Sequence, residues 1–276
     1  MNGGIVAGKH ESGNVWWGDF TLSENTPGVF RIGPAVLHVS RLPGEWRIVY
    51  DADTMETDEG NDIHIDVQSA APVELSRRAV VNRYGMSTGG SSIRLTPALA
   101  DRHVVVQSET PFHIMPGQNM TYYVSTPLWV AFHTGKPSVK MTEMPLFRPS
   151  DTWFGPSTIQ GELCYASTTS GRLRLDDIRF RPHRAVTVVL LKNLTGNPVL
   201  LKSLSLPVPN LSLYESADGY LWTQPVKLEM TENNDAAEMS LKQRAPSEAV
   251  KAKLVCEPRV KAVNNILTQA MSRLIK

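Results

Sequence analysis

The chain reads as all-β: two β-sandwich-like domains followed by one amphipathic C-terminal helix. Three observations predict this. Short apolar runs alternate with polar residues, Gly and Pro (19 of each) interrupt them at short intervals, and helical periodicity is confined to the C-terminal end.

The elements follow in order. Residues 29–32, 35–39 and 45–50 form an early meander whose turns are Gly33-Pro34 and Pro43-Gly44. Further strands are predicted at 63–67, 73–81, 103–107, 112–115, 120–124 and 128–133, with Pro111, Pro116-Gly117 and Pro127 at strand boundaries, where a missing N–H is tolerated. From 135 to 161 alternation lapses among Pro137, Pro145, Pro149 and Pro156, and a domain boundary is placed there, giving an N-terminal β domain at 1–145 and an immunoglobulin-like sandwich at 146–257. In the second half, 162–166 and 172–175 read as strands, 185–192 and 199–206 as a hairpin across Asn193 to Pro198, and 211–214 with 220–223 as another across Ala217-Asp218-Gly219. Beyond Pro258, the spacing of Val260, Val263, Leu267, Ala270, Met271 and Leu274 predicts a helix over 258–276.

Of 276 residues, 41% are hydrophobic and 20% charged, with 28 Lys and Arg against 27 Asp and Glu: a soluble, globular composition. Near-neutrality removes the electrostatic footprint that nucleic-acid binding requires. The glycine-rich start is interrupted by Lys9, His10 and Glu11, so no secretory signal is expected, and the longest apolar run, 185–191, is far below the ~20 residues that cross a bilayer. Cys164 and Cys256 lack metal or redox spacing, which fits a reducing cytoplasm.

Seven carboxylates lie between Asp51 and Asp66, yet the sixth and twelfth positions from Asp51 are Glu56 and Asp62, which fails the calcium-loop pattern; a solvated acidic loop is expected. On the strand that follows, Ile63, Ile65 and Val67 share one face and Asp62, His64 and Asp66 the other, a set of donors suited to a divalent metal if other strands add ligands, and otherwise a solvent face. His38 and His113 are also expected on polar faces. In 128–133, Leu128, Val130 and Phe132 oppose Trp129, Ala131 and His133. The Trp129/His133 pair is either a stacking platform for a ligand or a face covered by packing. Trp153 and Phe154 either wedge the domains together or line a cleft between them. The sequence has no nucleophile elbow, phosphate loop, dinucleotide turn or H-E-x-x-H, and Cys164 suits a buried hydrophobe.

Trp17-Gly18-Asp19-Phe20, Ile32-Gly33, Arg41 with Trp46 to Tyr50, Ile114 to Gly117, Ser125 to Leu128, Thr152 to Gly155 and Gly161 to Tyr165 together resemble a β-rich microbial family catalogued as a domain of unknown function, number four hundred and thirty-two. The resemblance covers nearly the whole chain and implies a cytosolic all-β protein. It brings no catalytic or binding residues with it.

The expected function is therefore a non-enzymatic cytoplasmic binding or scaffold protein without cofactor, for a protein or small-molecule ligand. Its candidate positions are Asp62, His64, Asp66, Trp129, His133 and Trp153. The alternative is a metal-dependent or carbohydrate-handling protein built on Asp62, His64 and Asp66. The basic C-terminal segment, with eight basic and two acidic residues over 242–276, offers a helix for pairing subunits or packing on its own domain.

Overall fold

The computed structural model describes residues 15–52, 54–56, 62–69, 77–86, 90–135, 138–155, 157, 159–167, 171–232 and 237–261. In chain order the strands are β1 (Gly18–Thr21), β2 (Pro27–Ile32), β3 (Ala35–Leu42), β4 (Glu45–Asp51), β5 (Ile63–Asp66), β6 (Ala79–Gly85), β7 (Ser92–Leu99) and β8 (Val104–Ile114). There follow β9 (Asn119–Thr134), β10 (Val139–Pro145), β11 (Ser150–Phe154), β12 (Glu162–Ser167), β13 (Arg184–Asn193) and β14 (Val199–Leu206). The last five are β15 (Leu213–Glu215), β16 (Leu221–Thr223), β17 (Val226–Met230), β18 (Glu238–Leu241) and β19 (Lys253–Cys256). Two 3-10 turns, Leu175–Asp177 and Val208–Asn210, are the helical structure among the described residues. No helix among them is long and apolar enough to cross a membrane.

The chain forms two compact units, Met1–Thr96 with Val130–Leu146, and Pro97–Trp129 with Phe147–Lys276. In the first, an antiparallel five-stranded sheet runs β5-β2-β3-β4-β6. The expected meander is its centre. Gly33 (φ 56°) and Gly44 (φ 73°) occupy the left-handed positions that its two tight turns require. Ala35, Leu37 and Val39 are buried while Val36, His38 and Ser40 are half-buried, so the period-two pattern of β3 sets its faces. Trp16, Phe30, Ile32, Trp46 and Ile48 anchor the core of this unit.

In the second unit, β13 pairs antiparallel with β9 on one side and parallel with β16 and β17 on the other. A separate sheet runs β11-β12-β8-β14, with β12 parallel to β8. These parallel pairs depart from the antiparallel sheets of an immunoglobulin-like sandwich, so all-β is the correct class but the sandwich description is not. The expected hairpin of 185–192 with 199–206 does not form either: both edges of β13 are occupied, and β14 pairs with β8 instead. Asn193 makes the transition between sheets. Fully buried, it donates through Nδ2 to Ile114 O and Asn197 O (both 2.8 Å) and accepts at Oδ1 from the Thr195 N–H and hydroxyl (2.9 and 2.8 Å). The smaller hairpin, β15 with β16, forms as expected.

Two expected pairs of strands are each one long strand. In β8, Gln107 pairs with Ser203 and Phe112 with Leu201, so residues 108–111 face a single residue of β14, and Pro111 lies in this irregularity without breaking a regular ladder. In β9, Pro127 is the last residue paired with β13, opposite Arg184, and the strand continues beyond it.

The predicted C-terminal helix also needs correction. Its first residues, Pro258 to Lys261, are not helical. The Val260 N–H donates to Pro209 O (3.0 Å), Asn210 Nδ2 donates to Val260 O (3.1 Å), and the Arg259 guanidinium donates to Leu99 O. The Val260 carbonyl, which a first helical turn would use, is thus taken by the side chain of Asn210 in the 3-10 turn. Residues 262–276 lie outside the described residues. With no C-terminal helix present among the described residues, pairing of subunits through one is not supported.

Candidate anion-binding site

The expected positions are divided between the two units: Asp62, His64, Asp66 and His133 belong to the first, Trp129 and Trp153 to the second. Asp62 and His64 are exposed, and Asp66 accepts the Gln68 N–H at Oδ1 (3.0 Å). Among the described residues no group of three or more His, Cys, Asp or Glu side chains could hold a metal ion, and Asp66 is half-buried. The acidic loop before them lies largely outside the described residues.

Trp129 is 5% exposed and packs against Tyr165 (centroids 5.4 Å) in the second unit. His133 belongs to the first unit, half-buried, with Nε2 3.0 Å from Thr96 Oγ1. Burial, then Lys140 and Arg94, hold its pKa below the usual histidine value. Residues 125–132 of β9 are buried continuously, so alternation there does not distinguish a core face from a free one. Trp153 is 48% exposed, but its indole N–H donates to Ser157 O (2.9 Å), which ties the ring to its own hairpin loop, while Phe154 is buried with Val105 and Cys164.

Other titratable groups of the second unit are arranged for structure. Burial, then the Glu162 charge, pushes the Cys164 thiol up to about 12, leaving it protonated and a poor nucleophile. Tyr165 is likewise pushed up to about 12 by burial and its hydrogen bond to Asp101 (2.9 Å), and Arg102 lies 5.1 Å from its ring centroid. His103 Nδ1 contacts Glu162 Oε1 at 2.6 Å.

A concave site does occur in this unit, built by residues 171–184. This stretch holds Arg172, Arg174, Arg179, Arg181 and Arg184 and no lysine. Its path is set at three points. Arg172 and Tyr123 exchange both backbone hydrogen bonds at 2.8 Å, the 3-10 turn reverses the chain at Leu175–Asp177, and Ile178 and Phe180 pack into a cluster with Val186, Val188 and Trp222. Phe180 stacks on Tyr220 at 4.0 Å. Local alternation then directs Arg179 and Arg181 away from the apolar side that Ile178 and Phe180 occupy.

Arg184, at the start of β13, is 6% exposed. Its Nη1 donates to Ser125 O (2.9 Å) and Ser167 Oγ (3.4 Å), and its guanidinium carbon lies 4.8 Å from the centroid of the Phe147 ring. A carbonyl, a hydroxyl and an aromatic face thus offset part of the cost of removing this cation from water and fix its orientation.

Ser125, Arg172, Asp177, Ile178, Arg179, Arg181 and Arg184 line a cavity of about 160 Å³. Its ionisable lining residues are four arginines and Asp177, and Arg172, Arg181 and Arg184 also engage in further interactions. Arginine stays charged throughout the accessible pH range and presents a planar fork of donors to oxyanions, so the chemistry here is anion recognition by charge-assisted hydrogen bonds. Sequence reasoning missed this site. The available signal was the run of five arginines, two of them alternating with Ile178 and Phe180.

Residues 16–276 match a protein family described as "Protein of unknown function (DUF432)". No curated protein and no solved structure matches the chain.

Proposed function

Since the chain belongs to that family of unknown function, which supplies no activity to carry over, we propose from the site itself that the protein is a binding module for an anionic ligand. The observation that carries this reading is the cavity lined by Arg172, Arg179, Arg181 and Arg184, with Arg184 buried and held in place. Among its lining residues the ionisable groups are four arginines and Asp177, a set that favours holding a ligand over transforming it. A reducing, cytoplasmic setting accords with the two free cysteines.

Thermal unfolding of the full chain at low ionic strength, with and without multivalent anions, tests this. An anion at about 100 times its Kd stabilises by about 2.7 kcal/mol, which raises Tm by roughly 5–10 °C for a unit of this size. The double variant Arg179→Gln/Arg181→Gln should lose that rise. If sulfate, phosphate and citrate stabilise no more than chloride at matched ionic strength, the reading fails.

A further inference from the structure

We infer that β11 is a docking edge for a second copy of this chain: two β11 strands pair antiparallel across a two-fold axis at Trp153 and join two four-stranded sheets. This edge shares no residue with the arginine-lined cavity.

The backbone supplies the first reason. β11 is an outer strand of the sheet β11-β12-β8-β14, and all five of its residues pair in unbroken register with β12. Among the described residues no other strand pairs with it, so its second edge offers backbone donors and acceptors to an added strand. Outer strands usually discourage such pairing with charge, proline or a bulge. Exposed Lys202, Arg83 and Lys253 do this in the outer strands β14, β6 and β19. Ser150 to Phe154 holds no lysine, proline or bulge, and its single charge, Asp151, is paired with Arg102 at 3.1 Å.

The side chains supply the second. Trp153 lies directly opposite Leu163 of β12, and the two are 48% and 49% exposed, with Ile159 of the same hairpin 91% exposed. Large apolar side chains gathered on one exposed hairpin mark an interaction surface. Trp153 is also fixed in advance. Ser157 O takes its indole N–H, and Nε1 and Cε2 lie 2.6 and 2.8 Å from where a Cβ on Gly161 would stand, so the ring fits closely over a glycine. A half-exposed Trp held this way suits an interface anchor, because little rotamer freedom remains to be lost on binding.

Symmetry and charge select the partner. With Trp153 on a two-fold axis perpendicular to the sheet, it meets Trp153 of the second copy, Leu163 flanks the pair on both sides, and Asp151 stands opposite Gly155. The resulting row is apolar throughout and sets no like charges against each other. An axis at Thr152 would instead oppose Trp153 to Asp151. A lipid surface also accepts exposed Trp, Leu and Ile, but it provides no ladder for the open strand edge, so edge and patch together favour a second chain. Five-residue strands make a small interface, for which micromolar affinity is expected.

Sedimentation equilibrium of the full chain from micromolar to near-millimolar concentration tests this. A reversible dimer is expected. Trp153→Lys, which sets two like charges at the axis, should weaken it about thirtyfold or more. Leu163→Lys, at an exposed position beside the axis, should weaken it about tenfold and supplies the readout if Trp153→Lys disturbs folding. Mild oxidation locates the axis: Trp153→Cys should form an interchain disulfide faster than Ile159→Cys, although position 159 is the more exposed, because directly paired Cα atoms lie about 4.5–5.5 Å apart. A chain that stays monomeric, a dimer that neither lysine variant weakens, or faster cross-linking through Ile159→Cys would overturn the proposal. So would a monomer that sediments with phosphatidylcholine vesicles and ceases to do so as Trp153→Lys, since the surface would then serve lipid.

Discussion

Replacing Gly171 by alanine would set a methyl carbon 2.0 Å from Cζ of Tyr122, 2.2 Å from its Oη and 2.3 Å from Cε1. Non-bonded carbons settle at about 3.5–4.0 Å, so one partner must retreat by roughly 1.5 Å. Tyr122 is 2% exposed and packed at 5.6 Å from Phe112, which leaves the ring little room. The backbone at 171 must move instead, and it carries Arg172 with it. The two Arg172–Tyr123 backbone hydrogen bonds, both 2.8 Å, are then broken or stretched. At a net 0.5–1.5 kcal/mol each, their loss amounts to about 1–3 kcal/mol, and Tm falls by roughly 2–12 °C for a unit of this size. Arg172 also leaves its place in the cavity lining, so anion affinity should fall together with stability. Gly85→Ala is the control, because a Cβ there meets no atom within 4 Å, and its Tm should stay close to that of the unsubstituted chain. Thermal unfolding by circular dichroism and phosphate calorimetry on both variants decide the matter: Gly171→Ala matching Gly85→Ala in both measurements would refute the reasoning.

Further outcomes follow from buried polar groups. Thr187 Oγ1 lies between Thr126 Oγ1 (2.7 Å) and Thr223 Oγ1 (2.9 Å) with all three residues fully buried, so Thr187→Val should keep the shape, strand a hydroxyl and cost about 1–3 kcal/mol in urea unfolding; an unchanged midpoint contradicts this. Asn193→Ala removes four hydrogen bonds at the crossing between sheets and should cost about 2–4 kcal/mol, and Asn193→Asp should do no better, because its carboxylate would face the carbonyls of Ile114 and Asn197. With Cys164 buried and its pKa near 12, a maleimide at pH 8 should label one thiol per native chain, Cys256, and two after denaturation; rapid native labelling of both excludes the burial described. Cys164 keeps its proton in the folded state at pH values where the unfolded thiol, with its ordinary pKa of 9, has lost it. Its contribution to stability is therefore complete below pH 9 and declines toward pH 12, and a urea midpoint that stays flat from pH 9 to 11 counts against it.

By itself the sequence determined what depends on near neighbours. The all-β class follows from period-two alternation interrupted by turn residues. The β2-β3-β4 meander follows from Gly33 and Gly44, whose left-handed φ closes two tight turns, and the β15/β16 hairpin is similarly local. What tertiary structure decided is partner choice and burial, because both depend on residues far apart in the chain. β13 and β14 look like a hairpin until β9, β16 and β17 occupy both edges of β13. Trp129 is on a face that alternation leaves open and long-range packing covers. The apolar spacing after Pro258 has helical period, yet the described residues at its start are held by Pro209, Asn210 and Leu99. The arginines of 171–184 are visible as a charge run, but only the anchoring of Arg172 by Tyr123, of Ile178 by its apolar cluster and of Arg184 by Ser125 and Phe147 converts that run into a cavity. A strand's period sets which way a side chain points. What it meets there is settled by long-range pairing and closure of the core.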